Sequence, residues 1–361
     1  MIIKEIKLES FRSYEFLEIP INKGITLFYG DNGSGKSSII ESIYFSLTGK
    51  SFRTNDTNNL IQNRKTQTQS LLVLESGESI KITKKKNNRP NILQNRGVKT
   101  ENFTKLVKKY PNCLIENKEF FFTTSNPEKK RNFLNKILFY VEQTDSLSLN
   151  ELKKIILQRS GCLKNKDYNQ IRYWDERLVE IEPKVTELNE TICTKINNYL
   201  NSSSLVSVFE EKNPWIKDLN IKYDPGYENS YEFFDILEKN FEKDCILKRT
   251  SEGPHKRSFN IFLKNIDASE VLSRGQQKII SIIFHLIQRE IIMDQTNLIP
   301  ILLMDDVSSE LDKENANLML KYLINNSVQT IMTSIGFSHF LDHNDIFLFH
   351  VEHNGECSHV K

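Results

Sequence analysis

Apolar and polar residues alternate at the start of the chain. "IIKEIKL" over residues 2 to 8 and "FLEIPI" over 16 to 21 carry the period of two expected of strands with one buried face. "ITLFY", residues 25 to 29, reads as a buried-type strand. Directly after a glycine-rich stretch, "SSIIESIYFSLTG" places apolar residues at 39, 40, 43, 44 and 47 and stops at Gly49, which is helical spacing with a glycine C-cap. Residues 70 to 97 read as a β-hairpin ladder.

From about 127 to 200 glycine almost disappears and long amphipathic runs predict a helical insertion. Ile171, Trp174, Leu178, Ile181, Val185, Leu188, Ile192, Ile196 and Tyr199 recur at steps of three or four, the seam of a coiled-coil-like arm. Such a stripe serves either a packed arm core or a dimer seam, and the core is the commoner use. Pro183 falls inside the pattern and should kink or split the helix, since an interior proline costs about 3 kcal/mol. Residues 201 to 250 are polar with scattered aromatics and predict little. The last third returns to α/β character. "SRGQQKIISIIFHLIQREIIM" has the apolar spacing of a long helix, "IPILLMDD" and "VQTIMTS" are buried-type strands, and "DIFLFHVEHNGECSHV" closes as a hairpin on Asn354 and Gly355. The fold class is therefore α/β, a head with a mixed sheet and helices split in sequence by a mainly α-helical arm. The expected head is 1–125 with 246–361, and the expected arm is 126–245.

A chain of 361 residues with 38% apolar content can bury a large core or two medium ones. No window approaches 18 uninterrupted apolar residues and "MIIKEIKLESF" has no apolar leader, so a cytoplasmic protein without a membrane partner is expected. Cysteines at 113, 162, 193, 245 and 357 are scattered and include no CxxC pair, which encodes neither a disulfide framework nor a zinc knuckle. Net charge is only +2, but residues 81 to 131 hold 14 Lys or Arg against 4 Asp or Glu. That local excess of +10 leaves −8 for the remainder, so one region is set apart as a cationic patch.

The candidate chemistry begins at Gly30-Asp31-Asn32-Gly33-Ser34-Gly35-Lys36-Ser37, which fits G-x-x-x-x-G-K-[ST]. Glycines let successive backbone N–H groups turn toward phosphate oxygens, and the following helix offers its positive N-terminus. Lys36 would neutralise the β and γ phosphates and Ser37 would ligate Mg²⁺. The apolar strand ending in Asp305 and Asp306 supplies carboxylates where a phosphate loop needs them: Asp305 for the metal, Asp306 to orient and deprotonate the attacking water. A helix cap would account for one of these aspartates but not for both beside such a loop. In "VLSRGQQK", Ser273 and Gly275 stand just before a long helix, where hydroxyl, N–H and helix dipole make a second anion site.

This trio resembles the ABC ATPase set: a Walker A loop, an LSGGQ-like signature in which Arg274 replaces a glycine, a Walker B strand, and a D-loop "SELD" at 309 to 312. More narrowly, "FRSYEFLEIPINKGITLFYGDNGSGKSSIIESIYFSLTGKSFRT" resembles the N-terminus of the SMC-like DNA-repair ATPases. "NPEKKRNFLNKIL" (126 to 138), "ILQRSGCLK" (156 to 164), "WDERL" (174 to 178), "GPHKRS" (253 to 258) and "LLMDDVSSELD" (302 to 312) are similar to strings of the RecF family in the family's order. The chain departs from that pattern at Lys130 for Arg, Asn135 for Asp, and Arg257 and Ser258 for two Asp. The resemblance implies an ABC-type head and an ATP site built from Gly30, Asp31, Asn32, Gly33, Ser34, Gly35, Lys36, Ser37 and Ser38. Arg12 of "FRS" would contact the same nucleotide. Ser273, Arg274, Gly275 and Gln276 would come from the opposite chain of an ATP-bound homodimer, so that binding drives dimerisation and hydrolysis releases it.

The resemblance further implies a DNA replication and repair protein that binds single- and double-stranded DNA at gaps or junctions. It would act with RecO and RecR, and indirectly with RecA, which is loaded at single-stranded gaps. Thr333 and Ser334 stand where transporter-type relatives carry a switch histidine, so slow hydrolysis, a timer and not a motor, is expected. Lys84, Lys85, Lys86, Arg89, Lys105, Lys108 and Lys109 are candidates for phosphate contacts with DNA; a solvated hairpin is the other reading of the same run. The alternative function is another ABC- or SMC-like ATPase, structural or transporter-associated, with no part in RecA loading. A transporter subunit fits poorly with the helical insertion, and a structural tether would need hundreds of coiled-coil residues where only 235 separate Ser37 from Ser273. An ATPase fused to a nuclease would need more chain after the Walker B strand. His339, His343, His350, His353, Cys357 and His359 crowd the C-terminus, but those on strands alternate poorly for one tetrahedral metal.

Overall fold

The strand Ile25–Tyr29 is buried on both faces, Thr26 included, and it sits inside a parallel sheet. The order across that sheet is Ser358–Val360, Ile346–His353, Ile25–Tyr29, Thr330–Ser334, Ile301–Met304 and Asn112–Ile115; only Ser358–Val360 runs antiparallel to its neighbour. The computed structural model describes residues 1–94, 98–100, 103–116, 126–141, 147–228, 231–306, 311–336 and 345–361. They fall into two compact units: Met1–Phe120 with Ser207–Lys212 and Arg274–Lys361, and Phe121–Val206 with Asn213–Ser273.

In the first unit a second, antiparallel sheet runs Tyr14–Pro20, Ile3–Phe11, Gln67–Leu74, Ser79–Lys85, Asn91–Gln94, Val98–Thr100. A register shift between Ile3 and Glu5 explains how Ile3 and Ile6, three positions apart, both face the core of a strand whose side chains otherwise alternate. The helix Lys36–Thr48 is buried on nearly every side because it shares one core with both sheets: Ile39, Ile40, Ile43, Phe45 and Leu47 pack with Ile6, Leu8, Leu72 and Ile80 on one hand and Phe28, Leu303 and Ile331 on the other. Its serines satisfy themselves, Ser42 on Ile39 O and Ser46 on Ser42 O and Ser70 Oγ. Gly49 ends it in the left-handed region with its N–H on Phe45 O at 2.8 Å, and a Cβ there would lie 2.2 Å from Phe103. The expected C-terminal hairpin forms, with Gly355 at φ +96°.

The second unit carries the expected helices, Pro127–Val141, Leu147–Asn165 and Tyr168–Ser202. The stripe on the last of these serves a packed core: Leu178, Ile181 and Val185 meet Leu152, Ile155, Phe233, Ile236 and Leu237. Pro183 does not split the helix, which runs through it for 35 residues. The proline lies on the exposed face, so its missing donor is set against a continuous buried stripe on the other. Residues 246 to 273, read from sequence with the head, belong to this unit. Ser258–Leu263 pairs along its length with Leu219–Asp224 in a three-stranded antiparallel sheet completed by Ile266–Asp267, and Gly253 N–H donates to Gly226 O. Among the described residues no helix is long and apolar enough to cross a membrane.

Candidate functional site

Ile25–Tyr29, Thr330–Ser334 and Ile301–Met304 are adjacent and parallel, so the segments leaving their carboxyl ends meet along one edge of the sheet. The first is the glycine loop. Gly30 (φ +148°), Gly33 (φ +82°) and Gly35 (φ +111°) take backbone conformations that side chains resist, and a Cβ on Gly30 would lie 2.2 Å from Val351 O. Asp31, Asn32 and Gly33 are exposed at the tip, while Ser34, Lys36 and Ser38 are buried and Ser37 is half-buried at the first turn of the helix. Lys36 Nζ donates to Gly30 O and Asp31 O, both at 2.7 Å. Burial pushes the Lys36 pKa down, opposed by the charges of Asp306, Asp305 and Asp31. The Ser34 hydroxyl is buried with no hydrogen-bond partner.

The second segment brings the two carboxylates. Asp305 N–H donates to Ile115 O at 2.9 Å and anchors the turn to the neighbouring strand. Asp306 turns at φ +56°, a conformation aspartate tolerates better than most residues. The third contributes Thr333, whose hydroxyl donates to Asp305 Oδ1 at 2.8 Å and accepts from Asp306 N–H at 2.8 Å. In the sequence Thr333 stands only in place of a switch histidine; in the fold its hydroxyl ties the Asp305 carboxylate to the Asp306 main chain.

Other site residues were not legible in sequence. Glu41, fully buried on the Walker helix, accepts a bidentate pair from Arg12 (Nε at 2.8 Å, Nη2 at 2.7 Å) and a bond from Ser51 Oγ. Arg12, expected to touch nucleotide, is thus oriented by Glu41, with its side chain still partly exposed. The C-terminal hairpin closes on the loop: Ser358 Oγ bonds Ser13 Oγ at 2.7 Å, and Tyr14 OH donates to Gly35 O at 3.2 Å. A Cβ on Gly35 would lie 2.4 Å from Ser358 Oγ.

Ser273, Arg274 and Gly275 are exposed at the start of the helix Arg274–Thr296. Nothing lies within 4 Å of where a Gly275 Cβ would be, and its φ is ordinary. Of the D-loop, Ser309 and Glu310 lie outside the described residues. Asp312 caps the helix Lys313–Asn325 through Asn315 N–H and pairs with Lys212 at 2.7 Å.

Among the described residues, the candidate DNA-contacting cations differ in exposure and pairing. Lys84 is buried, its Nζ donating to Asn58 Oδ1 (2.8 Å), Lys85 O (3.0 Å) and Asn88 O (2.6 Å), so it ties the hairpin turn to the segment before it and is not available to DNA. Lys109 is paired with Glu78 at 2.7 Å beside Tyr110. Lys85, Lys86, Arg89 and Lys105 are exposed, and Lys108 is half-buried. Among the described residues no group of three or more His, Cys, Asp and Glu could hold a metal, and His339 and His343 lie outside them. His350 stacks on Tyr29 with Glu352 at 3.2 Å, whereas His353 serves the Gly355 turn.

The family model described as "RecF/RecN/SMC N terminal domain" matches residues 2–358. The chain is 28% identical over 359 residues to the "DNA replication and repair protein RecF" of Shewanella oneidensis, covering 98% of each. It is 28% identical over 368 residues to the protein of the same name from Pseudoalteromonas translucida, again covering 98% of each. Among solved structures, the recombination mediator protein RecF with ATP, of the RecFOR pathway, superposes with a TM-score of 0.80 at 20% identity, covering 100% of this chain and 97% of that one. The Smc head domain with an extended coiled coil from Pyrococcus furiosus, bound to the C-terminal domain of ScpA, matches with a TM-score of 0.59 at 17% identity, covering 100% and 96%. The fold is therefore that of the ABC-type ATPase head with a helical arm region.

Proposed function

The chain belongs to the RecF/RecN/SMC N-terminal domain family, and from that premise we propose that it is a RecF-type DNA-repair ATPase that dimerises on ATP. The observation that carries the reading is the convergence on one sheet edge of the glycine loop, the Lys36 ammonium and the Thr333-clamped aspartates. The residues present suit ATP and Mg²⁺. Strained glycines expose N–H groups to phosphate, the orphaned Ser34 hydroxyl is a buried donor within the loop, and Ser37 and Asp305 offer hard oxygen ligands of the kind Mg²⁺ prefers. When bound, Mg²⁺ would neutralise charge between the phosphates. Lys36 would hold the β and γ oxygens, and Asp306 would orient a water and accept its proton. With Thr333 in place of a switch histidine, the site lacks a second titratable group there, which supports slow hydrolysis.

Gly275 supports a site completed in trans. The fold of one chain makes no demand for glycine at that position, whereas the close approach of a nucleotide held by a second chain does. Ser273, Arg274, Gly275 and Gln276 would then grip the γ phosphate of the opposite head through the N-terminus of Arg274–Thr296. The dimer would bind DNA at gaps or junctions through exposed lysines and arginines, with RecO and RecR as partners and RecA loading as the outcome. The test is a pair of substitutions followed by equilibrium nucleotide binding. Lys36→Ala should weaken ATP binding at least about tenfold through loss of a charged phosphate partner. Asp306→Asn, which tolerates the same backbone, should keep binding while hydrolysis falls. A Lys36→Ala protein that binds ATP as the parent does would sink the reading.

A further inference from the structure

Two strings at which the chain departs from its family's pattern, 126 to 138 and 253 to 258, come together in the second unit. Arg131 and Asn135 from the first, and His255 and Arg257 from the second, line one cavity of about 430 Å³, with Lys153 at its rim and Phe139 on its wall. No acid is among its described lining residues. Arg257 is 3% exposed, yet its guanidinium meets only neutral oxygens, Pro254 O at 3.0 Å and Asn135 Oδ1, and its Nε is buried without a partner. Arg131 Nη1 donates to the backbone Arg257 O at 3.3 Å, and its side chain lines the same cavity. Burial, with Arg131 adding repulsion, pushes the Arg257 pKa down to about 10 even though Tyr223 acts the other way. A buried cation left this way is costly, and a bound anion removes the cost.

His255 adds direction. Its Nε2 lies 3.2 Å from Thr250 O, which accepts, so Nε2 carries the proton and the buried, unpartnered Nδ1 is a bare acceptor. Guanidinium forks match the oxygens of a tetrahedral oxyanion, and an imidazole acceptor suits the hydroxyl of a monoprotonated one. We propose that this cavity binds a phosphate group, free or as a monoester, between Arg131, Arg257 and Lys153, with His255 accepting from its hydroxyl. The site is separate from the ATP loop and nothing in the ATPase reading requires it.

The test is calorimetric titration of the full-length chain with inorganic phosphate, in the parent, Lys36→Ala, Arg257→Gln and Lys153→Ala. Lys36→Ala controls for phosphate held by the glycine loop, and Lys153 is exposed, so its loss does not threaten folding. The site predicts that Lys36→Ala retains phosphate binding while Arg257→Gln weakens it about tenfold or more and Lys153→Ala weakens it several-fold. A short DNA strand with and without a 5′ phosphate separates the sources: an Arg257-dependent preference for the phosphorylated strand assigns the site to nucleic-acid ends, equal binding to a small phosphate. Phosphate binding that survives both Arg257→Gln and Lys153→Ala, or that Lys36→Ala abolishes, overturns the proposal.

Discussion

The Thr333 hydroxyl is donor to one aspartate and acceptor from the backbone of the next, so a single side chain holds the Asp305 carboxylate and the Asp306 main chain, on which metal binding and water activation would depend. Thr333→Val keeps the volume and removes both bonds. It should cost about 1–3 kcal/mol in chemical denaturation and slow hydrolysis more than it weakens ATP binding. An unchanged turnover would remove Thr333 from the site. His255 gives a pH signature at the same scale. Burial lowers its pKa from 6.5 to about 4 in the fold, Lys256 and Arg131 lowering it further while Thr250 O opposes. The unfolded chain therefore takes up a proton between those values and the folded chain does not, so this contribution is intact above pH 6.5 and is lost as pH falls toward 4. At pH 5 the parent should have lost about 2 kcal/mol relative to pH 7.5 from this group, a loss that denaturation of His255→Gln should not show. Lys36, Ser37, Asp305 and Asp306 could be picked out from sequence as candidates because a glycine loop before a helix and an acidic end to an apolar strand are local signals. Thr333, Glu41 and Ser358 could not, because their roles depend on which strands and helices become neighbours.

Among the elements, periodicity told most where one physical demand dominated. The alternation of Ile3–Phe11, the largely apolar run of Ile25–Tyr29 and the stripe of Tyr168–Ser202 each read directly as burial. Pro183 misled because a local rule was weighed without the packing of Leu178, Ile181 and Val185 that flank it. Lys84 misled for a similar reason: a lysine run reads as solvated, and the Asn58 side chain that captures its ammonium is 26 residues away. Lys84→Ala should therefore destabilise the fold, by about 1–3 kcal/mol for the three hydrogen bonds its ammonium makes. Replacing Lys85, Lys86 and Arg89 together should leave stability within about 0.5 kcal/mol while lowering DNA affinity and its salt dependence. Melting curves and binding titrations at two salt concentrations check both, and DNA binding untouched by the triple substitution would move the interface elsewhere.

Across the whole molecule, the α/β class and the split by a helical insertion were visible in the order of patterns along the chain. The grouping of 246 to 273 was not, since it rests on Ser258–Leu263 finding Leu219–Asp224, a pairing that no local signal announces. The central claim is likewise a property of whole molecules: one chain supplies the glycine loop and a second supplies the exposed signature at Ser273 to Gln276. Mass by light scattering, with and without ATP and Mg²⁺, tests it most directly in the parent and in Ser273→Arg, a substitution at an exposed position. The account predicts a parent that doubles its mass on ATP and a variant that binds ATP yet stays monomeric. A parent that remains a monomer with ATP, or a variant that dimerises as the parent does, would contradict it.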